Sequence, residues 1–378
     1  MSKAAELAAL IANVNNGSSL ANKNLIINGA MNVSQRGTSS TGITASGYRQ
    51  APDRFRPSIG TAGTWTMSQS TDVPTGEGFA HSYKFDCTTA DASLAVGDDM
   101  ALQYRFEGQD VQMLKKGTSS AVPVTVSFWV KSTKTGTFIL ELMDNDNARE
   151  ISKSYTVSSS NTWEYKTVTF EGDTTGALDD DNARSLTLQW WLVAGTNWTS
   201  GTLNTSWSDP ATANRVVGQV NIADSTSNDW LLTGVQMEIG EKATEFEHEP
   251  YGTTLKKCQR YYHEHIRGVS GTRKYVGTGD FYVTTQLNCN ISFPTTMRTS
   301  PTLVQGNGTD YFGWWGGSQA GDISATWNLF LPSENTTSMY LNADDDPSAS
   351  GIGARIYIKD DASTSGTTNA FLAFNAEL

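Results

Sequence analysis

The side chains best suited to recognition chemistry are aromatic. "GTDYFGWWGGSQAGD", from Gly308 to Asp322, holds Tyr311, Phe312, Trp314 and Trp315 among five glycines. Glycine at that density suits loops better than strand interiors. A loop cannot bury four such rings, so the run predicts a surface loop with Tyr311, Trp314 and Trp315 as ligand contacts. Clustered exposed aromatics mark contact sites. Aromatic faces serve both sugar stacking and protein hot spots. The competing reading is a bulged strand packed against a neighbouring subunit. Two further tryptophans stand out by alternation. In "PVTVSFWVKS", Val124, Val126, Phe128 and Val130 face one way, so Trp129 falls with Thr125, Ser127 and Lys131. In "SLTLQWWLVAG", Trp191 falls with Thr187 and Gln189, opposite Leu186, Leu188, Trp190 and Leu192. Trp129 and Trp191 are therefore predicted to leave the inner face of a sandwich. A sugar platform, a subunit interface and a covering loop all fit that position.

Acidic runs occur at Asp144-Asn145-Asp146-Asn147, Asp179-Asp180-Asp181-Asn182 and Asp344-Asp345-Asp346. Oxygen-rich loops can hold calcium, which makes Asp144 and Asp146 the candidates for a structural ion. The first run lacks the glycine and closing glutamate of an EF-hand, and solvated turns fit all three. His263 and His265 flank Glu264 and would share a strand face, where copies of the chain could converge on an axial metal. No third ligand accompanies them. The sequence has no GxSxG, HExxH or P-loop. Paired glycosidase carboxylates are spatial and leave no linear signature. The expectation is a binding or structural protein, with no catalytic residue and no cofactor beyond a structural calcium.

Composition narrows the class. Of 378 residues, 38% are hydrophobic and 17% charged, and glycine is frequent at 34. That supplies sandwich cores and turns rather than a large α/β core. A net charge of −12 without a Lys/Arg cluster argues against nucleic acid and anionic membranes. No apolar run approaches the roughly 20 residues of a membrane span. Cys87, Cys258 and Cys289 are odd in number and widely spaced, so neither a disulfide framework nor a zinc site is expected, and synthesis in a reducing cytoplasm is. Glu6 interrupts the first apolar residues, which argues against a signal peptide.

These residues must be positioned by a strand-rich scaffold. Over residues 3 to 14, Ala4, Leu7, Ile11 and Val14 form one apolar stripe, ended by Asn15-Asn16-Gly17. About three turns are marginal alone, so the stripe needs a partner: its own domain, copies of itself in a short coiled coil, or a larger assembly. Leu7, Ile11 and Val14 are the assembly candidates. "NLIINGAMNVSQRG", Asn24 to Gly37, reads as a first strand and hairpin. "PVTVSFWVKS" and "TFILELM" read as a hairpin or near-hairpin across Lys134-Thr135-Gly136. "NTWEYKTVTFEGD" and "DWLLTGVQMEIG" add strands. The fold predicted is all-β: a jelly-roll β-sandwich over 24–250, a connector over 251–266 and a second β-sandwich over 267–378, preceded by an anchor helix and linker over 1–23.

As an ordered set, "NLIINGAMNVSQRG", "APDRF", "SFWVKS", "TWEYKTVTFEGDTTG", "LTGVQMEIGEKATEFEHEPYGTTLKKCQRYY" and the terminal "FNAEL" resemble bacteriophage tail-fibre and virion-fibre proteins. The resemblance spans roughly residues 24 to 262 well and the rest loosely. The middle strands also look like galactose-binding-like jelly rolls of carbohydrate-binding modules. The resemblance implies a homotrimer on the virion, assembled in the host cytoplasm. Its N-terminus would be attached to other virion proteins of tail or capsid, and its C-terminal end would meet host-surface glycan. The chain departs from the family in having no long shaft, which implies a compact appendage. Two rival functions remain: a purely structural decoration without a receptor, and a polysaccharide-degrading spike. No β-helix period supports the latter.

Overall fold

The computed structural model describes Lys3 and residues 23–269, 272–306, 311–323, 326–342, 347, 350–359 and 370–378. Leu7, Ile11 and Val14 of the expected anchor helix, and Asp344, Asp345 and Asp346, lie outside the described residues. The chain divides into two compact units, the first running to Thr254 and the second from Leu255 to Glu377.

In the first unit, chain-order strands build two antiparallel sheets. One runs β1 (Ser39–Ile43), β3 (Thr64–Ser70), β4 (Ser82–Thr89), β11 (Asp229–Ile239), β6 (Val124–Ser132) and β9 (Glu164–Phe170). The other runs β2 (Phe55–Gly60), β5 (Asp99–Glu107), β10 (Arg184–Ala194), β7 (Gly136–Asp144) and β8 (Arg149–Val157). The alternation read in β6 and β10 sets their inner faces. Val126, Phe128 and Val130 meet Leu188, Trp190 and Leu192 in one core. Phe128 stands edge-on to Trp190 at 5.8 Å between ring centroids. Such pairs add about 1 kcal/mol beyond burial. This is the predicted jelly-roll sandwich.

Two local expectations fail. β6 and β7 do not pair. The chain crosses from one sheet to the other between them, and β7 instead forms a hairpin with β8 around Asp144-Asn145-Asp146-Asn147. Asn24 to Gly37 is irregular rather than a strand and hairpin: Met31 donates to the Asn28 carbonyl and Gly37 to that of Ser34, and side chains brace these turns. Asn28 takes a left-handed φ of 63°, and its amide ties Val33 and Asp53. β4 pairs with β11 only from Asp229 to Leu232. Beyond that, Leu25 donates to the Met237 carbonyl and Val235 to that of Gly29, so this segment satisfies the backbone β4 leaves. A Cβ on Gly29 would sit 2.0 Å from the Val235 carbonyl oxygen. Gly29→Ala should therefore cost about 3 kcal/mol, read as a lower denaturant midpoint at unchanged slope.

The second unit is also a sandwich. A three-stranded sheet orders β12 (Tyr262–Arg267), β21 (Phe371–Asn375) and β15 (Thr302–Gln305). A seven-stranded sheet orders β17 (Gln319–Ile323), β16 (Phe312–Gly316), β20 (Gly353–Ile358), β13 (Lys274–Val283), β14 (Gln286–Ser292), β19 (Thr336–Asn342) and β18 (Asn328–Phe330). Phe281, Trp314, Ile356, Leu372 and Phe374 share the core between them. The residues assigned to a connector fold as a helix, Tyr251–Gln259, followed by β12. From Tyr311 to Asp322 the glycine-rich aromatic run is a hairpin of β16 and β17, not a loop. β16 pairs with β17 and β20 on either side. Its glycines make room for cross-strand rings, since a Cβ on Gly313 would meet the Tyr357 ring at 2.6 Å.

Candidate functional site

The outer face of the six-stranded sheet carries a cleft of about 920 Å³. Its floor is a ladder of cross-strand pairs between β6 and β9: Trp129 opposite Tyr165, Ser127 opposite Thr167, and Thr125 opposite Thr169. Four residue steps along the strand make the ladder about 13 Å long. The Trp129 and Tyr165 rings lie 5.4 Å apart at 50°, and Tyr165 is 45% exposed. At the other end the Thr125 and Thr169 hydroxyls are 2.9 Å apart. The outward alternation of β6 produces this floor, since Thr125, Ser127 and Trp129 all line the cleft.

A bulge in β11 shapes the aromatic end. The β6–β11 register shifts between Thr233 and Gln236, and Gly234 takes φ +62°. A Cβ there would lie 2.7 Å from the Phe79 ring and 3.1 Å from that of Trp129, so both rings rest on bare backbone. Phe79, Phe246 and His248 pack as a trio with centroids about 5 Å apart, joining the two walls. The wall bearing Phe79 is tied down through Asp72, which accepts from Lys131 at 2.7 Å and from Trp163 at 2.9 Å. Partial burial pushes the Asp72 carboxyl up, but these donors outweigh it and hold the group below its usual range. The opposite wall is tied by Glu238, which accepts from the backbone and hydroxyl of Thr244. Glu77, Glu241 and Glu245 dominate the rim, against Lys242 and His248. The cleft thus offers two aromatic faces tilted to one another, the Thr167 and Thr169 hydroxyls, and an acidic border.

Trp129 is the one sequence-predicted residue brought into this cleft. Trp191 is only 2% exposed, so it cannot be an open platform. It does leave the inner face, but Trp198 and Val216 cover it and its indole donates to Glu141 at 2.7 Å. Arg215 lies beside both indoles and between two buried carboxylates. Its Nε is 2.6 Å from Glu141 and 2.7 Å from Glu150. One N–H cannot serve both, and the bond goes to Glu141. Burial, then the neighbouring Glu141, pushes the Glu150 carboxyl well above its usual range. The folded protein therefore holds a proton that the unfolded chain releases above about pH 4.3. That contribution is complete below this pH and fades as pH rises through the folded value. Glu150→Gln, which keeps the shape without the charge, should flatten the decline of stability from pH 5 to 8, measured by denaturant titration at each pH.

Asp144 and Asp146 do not form an open calcium loop. Asp144 is fully buried and accepts from the backbone of Asp146 and Asn147. The cation beside it is Lys116, whose Nζ lies 2.5 Å from Asp144, 3.0 Å from Asp173 and 2.9 Å from each of the Thr175 and Gly176 carbonyls. Asp146 instead accepts from the backbone of Asp179. His263 and His265 are brought together, with rings 5.8 Å apart. Burial, then His265, pushes the His263 pKa down to about 4. His265 bonds the Val276 carbonyl at 2.9 Å. Among the described residues no group of three or more His, Cys, Asp or Glu is placed to hold a metal. Tyr311 and Trp314 are buried in the second core, Trp314 at 1% exposure, and cannot stack on a ligand. Strand alternation turns Trp315 outward instead, at 52%. Tyr165, Phe79, Phe246 and His248 were missed. Tyr165 was legible, since Tyr165, Thr167 and Thr169 alternate outward in "EYKTVTF".

The first unit is thus a jelly-roll sandwich with an aromatic and hydroxyl-lined cleft on one sheet. No family model and no curated protein matches the sequence. Solved structures similar to the chain include the enzymatically active domain of tailspike protein 4 of bacteriophage CBA120, at 11% identity and TM-score 0.30, covering 58% of this chain and 22% of that one. They also include TmCBM61 in complex with β-1,4-galactotriose, at 10% identity and TM-score 0.26, covering 49% and 88%. A third is the family 11 carbohydrate-binding module of Clostridium thermocellum Lic26A-Cel5E, at 12% identity and TM-score 0.25, covering 55% and 99%. At such scores these likenesses carry nothing about function, and the fold is read from the sheets themselves.

Proposed function

We propose that the chain is a non-enzymatic virion-fibre protein that binds host-surface glycan through the cleft of its first unit. The observation that carries the binding is the β6–β9 ladder. A pyranose presents an apolar face and a hydroxyl rim, and Trp129 with Tyr165 takes the first while the Thr167 and Thr169 hydroxyls, more exposed than the buried Thr125 and Ser127, take the second. The fibre assignment rests on the resemblance of the ordered motifs to those of tail-fibre and virion-fibre proteins. It carries with it a homotrimer, attached to tail or capsid through the N-terminal residues and localised to the virion. The test is the full chain titrated with a panel of neutral oligosaccharides and with purified host polysaccharide. Tryptophan fluorescence reads binding, and a reducing-end assay reads cleavage. Saturable binding without new reducing ends is expected. Release of reducing ends would move the protein to the degrading class, and no binding would leave it a structural decoration. Light scattering should give three times the chain mass, and a monomer at micromolar concentration would remove the trimer.

A further inference from the structure

We propose that the second unit carries an independent groove for saccharides bearing a carboxylate, built on the outer face of its seven-stranded sheet around Trp315 and Arg355. The groove holds about 430 Å³. Its form follows from strand alternation. On β20, Ala354, Ile356 and Ile358 point into the core, so Gly353, Arg355 and Tyr357 share the outer face. On β16, Trp314 is the inward residue and Trp315 the outward one. The register sets Trp315 directly beside Arg355, and Arg355 beside Thr278 of β13. Gly317 and Gly353 follow along the same face and leave a hollow at the edge of the indole.

A large exposed indole is costly to keep in water and suits the apolar face of a sugar ring. The Arg355 guanidinium lies 5.4 Å from the Trp315 ring centre. It makes no ion pair among the described residues. Stacking on the indole pre-sets its donor fork, and a carboxylate is the group that fork fits in two parallel bonds. Arg355 is the charged side chain among the residues lining the groove, while Lys359, just past β20, is paired with Asp322 at 2.8 Å. The contrast with the acidic rim of the first cleft means the two sites would sort sugars by charge.

The probe is tri-galacturonate titrated into the full chain, with neutral galactotriose as its uncharged counterpart. Tri-galacturonate is expected to bind more weakly as salt rises, since its key contact is an exposed ion pair. Trp315→Ala and Arg355→Gln should each weaken it at least tenfold. Both side chains are exposed, so the melting temperature should not move. Trp129→Ala should leave tri-galacturonate binding unchanged, which separates this proposal from the reading of the first cleft. Tri-galacturonate binding that persists in Trp315→Ala, or no binding at millimolar concentration, would overturn it. So would tighter binding of a short oligonucleotide at the same two residues.

Discussion

Trp129→Ala should weaken binding of a neutral oligosaccharide about 30-fold, and Trp129→Ala with Tyr165→Ala should abolish it. A central aromatic anchor in a desolvated pocket is worth about 2 kcal/mol, which converts to that factor. The two rings face one ligand from opposed strands, so their losses compound. Tyr165 is nearly half exposed, and its removal should leave the melting temperature within a degree or two. Trp129 also packs on Gly234 and beside Phe79, so its removal has a structural component. Trp129→Tyr controls for it by keeping a ring over the bulge, and should recover most of the affinity. Calorimetry on the three variants checks the set. Equal affinity in wild type and double variant would place any glycan elsewhere.

The largest stability effect should come from Lys116→Met. The ammonium is 3% exposed and sits among four oxygens, two of them from carboxylates. Methionine keeps the stem and removes the charge, leaving Asp144 and Asp173 facing each other in the interior. Breaking a buried pair in this way costs about 3–5 kcal/mol. For a unit of this size that is a fall of roughly 10 °C in melting temperature. The effect should depend on pH in a defined sense. Burial pushes the Asp173 carboxyl up, but bonds from Arg149 and Lys116 outweigh it and hold the group below its usual range. Its stabilising contribution is present above the unfolded carboxylate pKa and is lost as pH falls through the folded one. The gap between wild type and Lys116→Met should therefore narrow below about pH 4. Lys116→Ala should leave a vacant four-oxygen cage. Hard cations with carboxylate and carbonyl ligands suit such a cage, so millimolar calcium should raise the melting temperature of that variant and not of wild type.

The scaffold was largely legible because a half-buried strand writes its period into the chain. Val126-Phe128-Val130 and Leu188-Trp190-Leu192 alternate without interruption, and the structure joins them in one core. Trp129 was legible by the same logic, as the large residue on the wrong side of that alternation. What alternation cannot say is what lies over an outward face. Trp129 looks into a cleft, whereas Trp191 lies under Val216 and under Trp198 of the short helix that follows β10. Local turn signals misled where tertiary bonds override them. Asn28-Gly29 suggests a tight hairpin turn, yet the Asn28 amide bonds Val33 and Asp53, and Gly29 is pressed against Val235. The glycines between Phe312 and Gly317 suggested a loop, but Gly313 gives Tyr357 room across a sheet. The Lys116 cage depends on Asp144 and Asp173, 29 residues apart in sequence, and no linear spacing announces it.

The most direct test of glycan binding by the first unit is a crystal structure of the full chain with a bound neutral oligosaccharide from the panel. The account predicts one sugar ring stacked on Trp129 or Tyr165, with its hydroxyls bonded to Thr167 or Thr169. A sugar bound away from that ladder, with the cleft filled only by solvent, would contradict it.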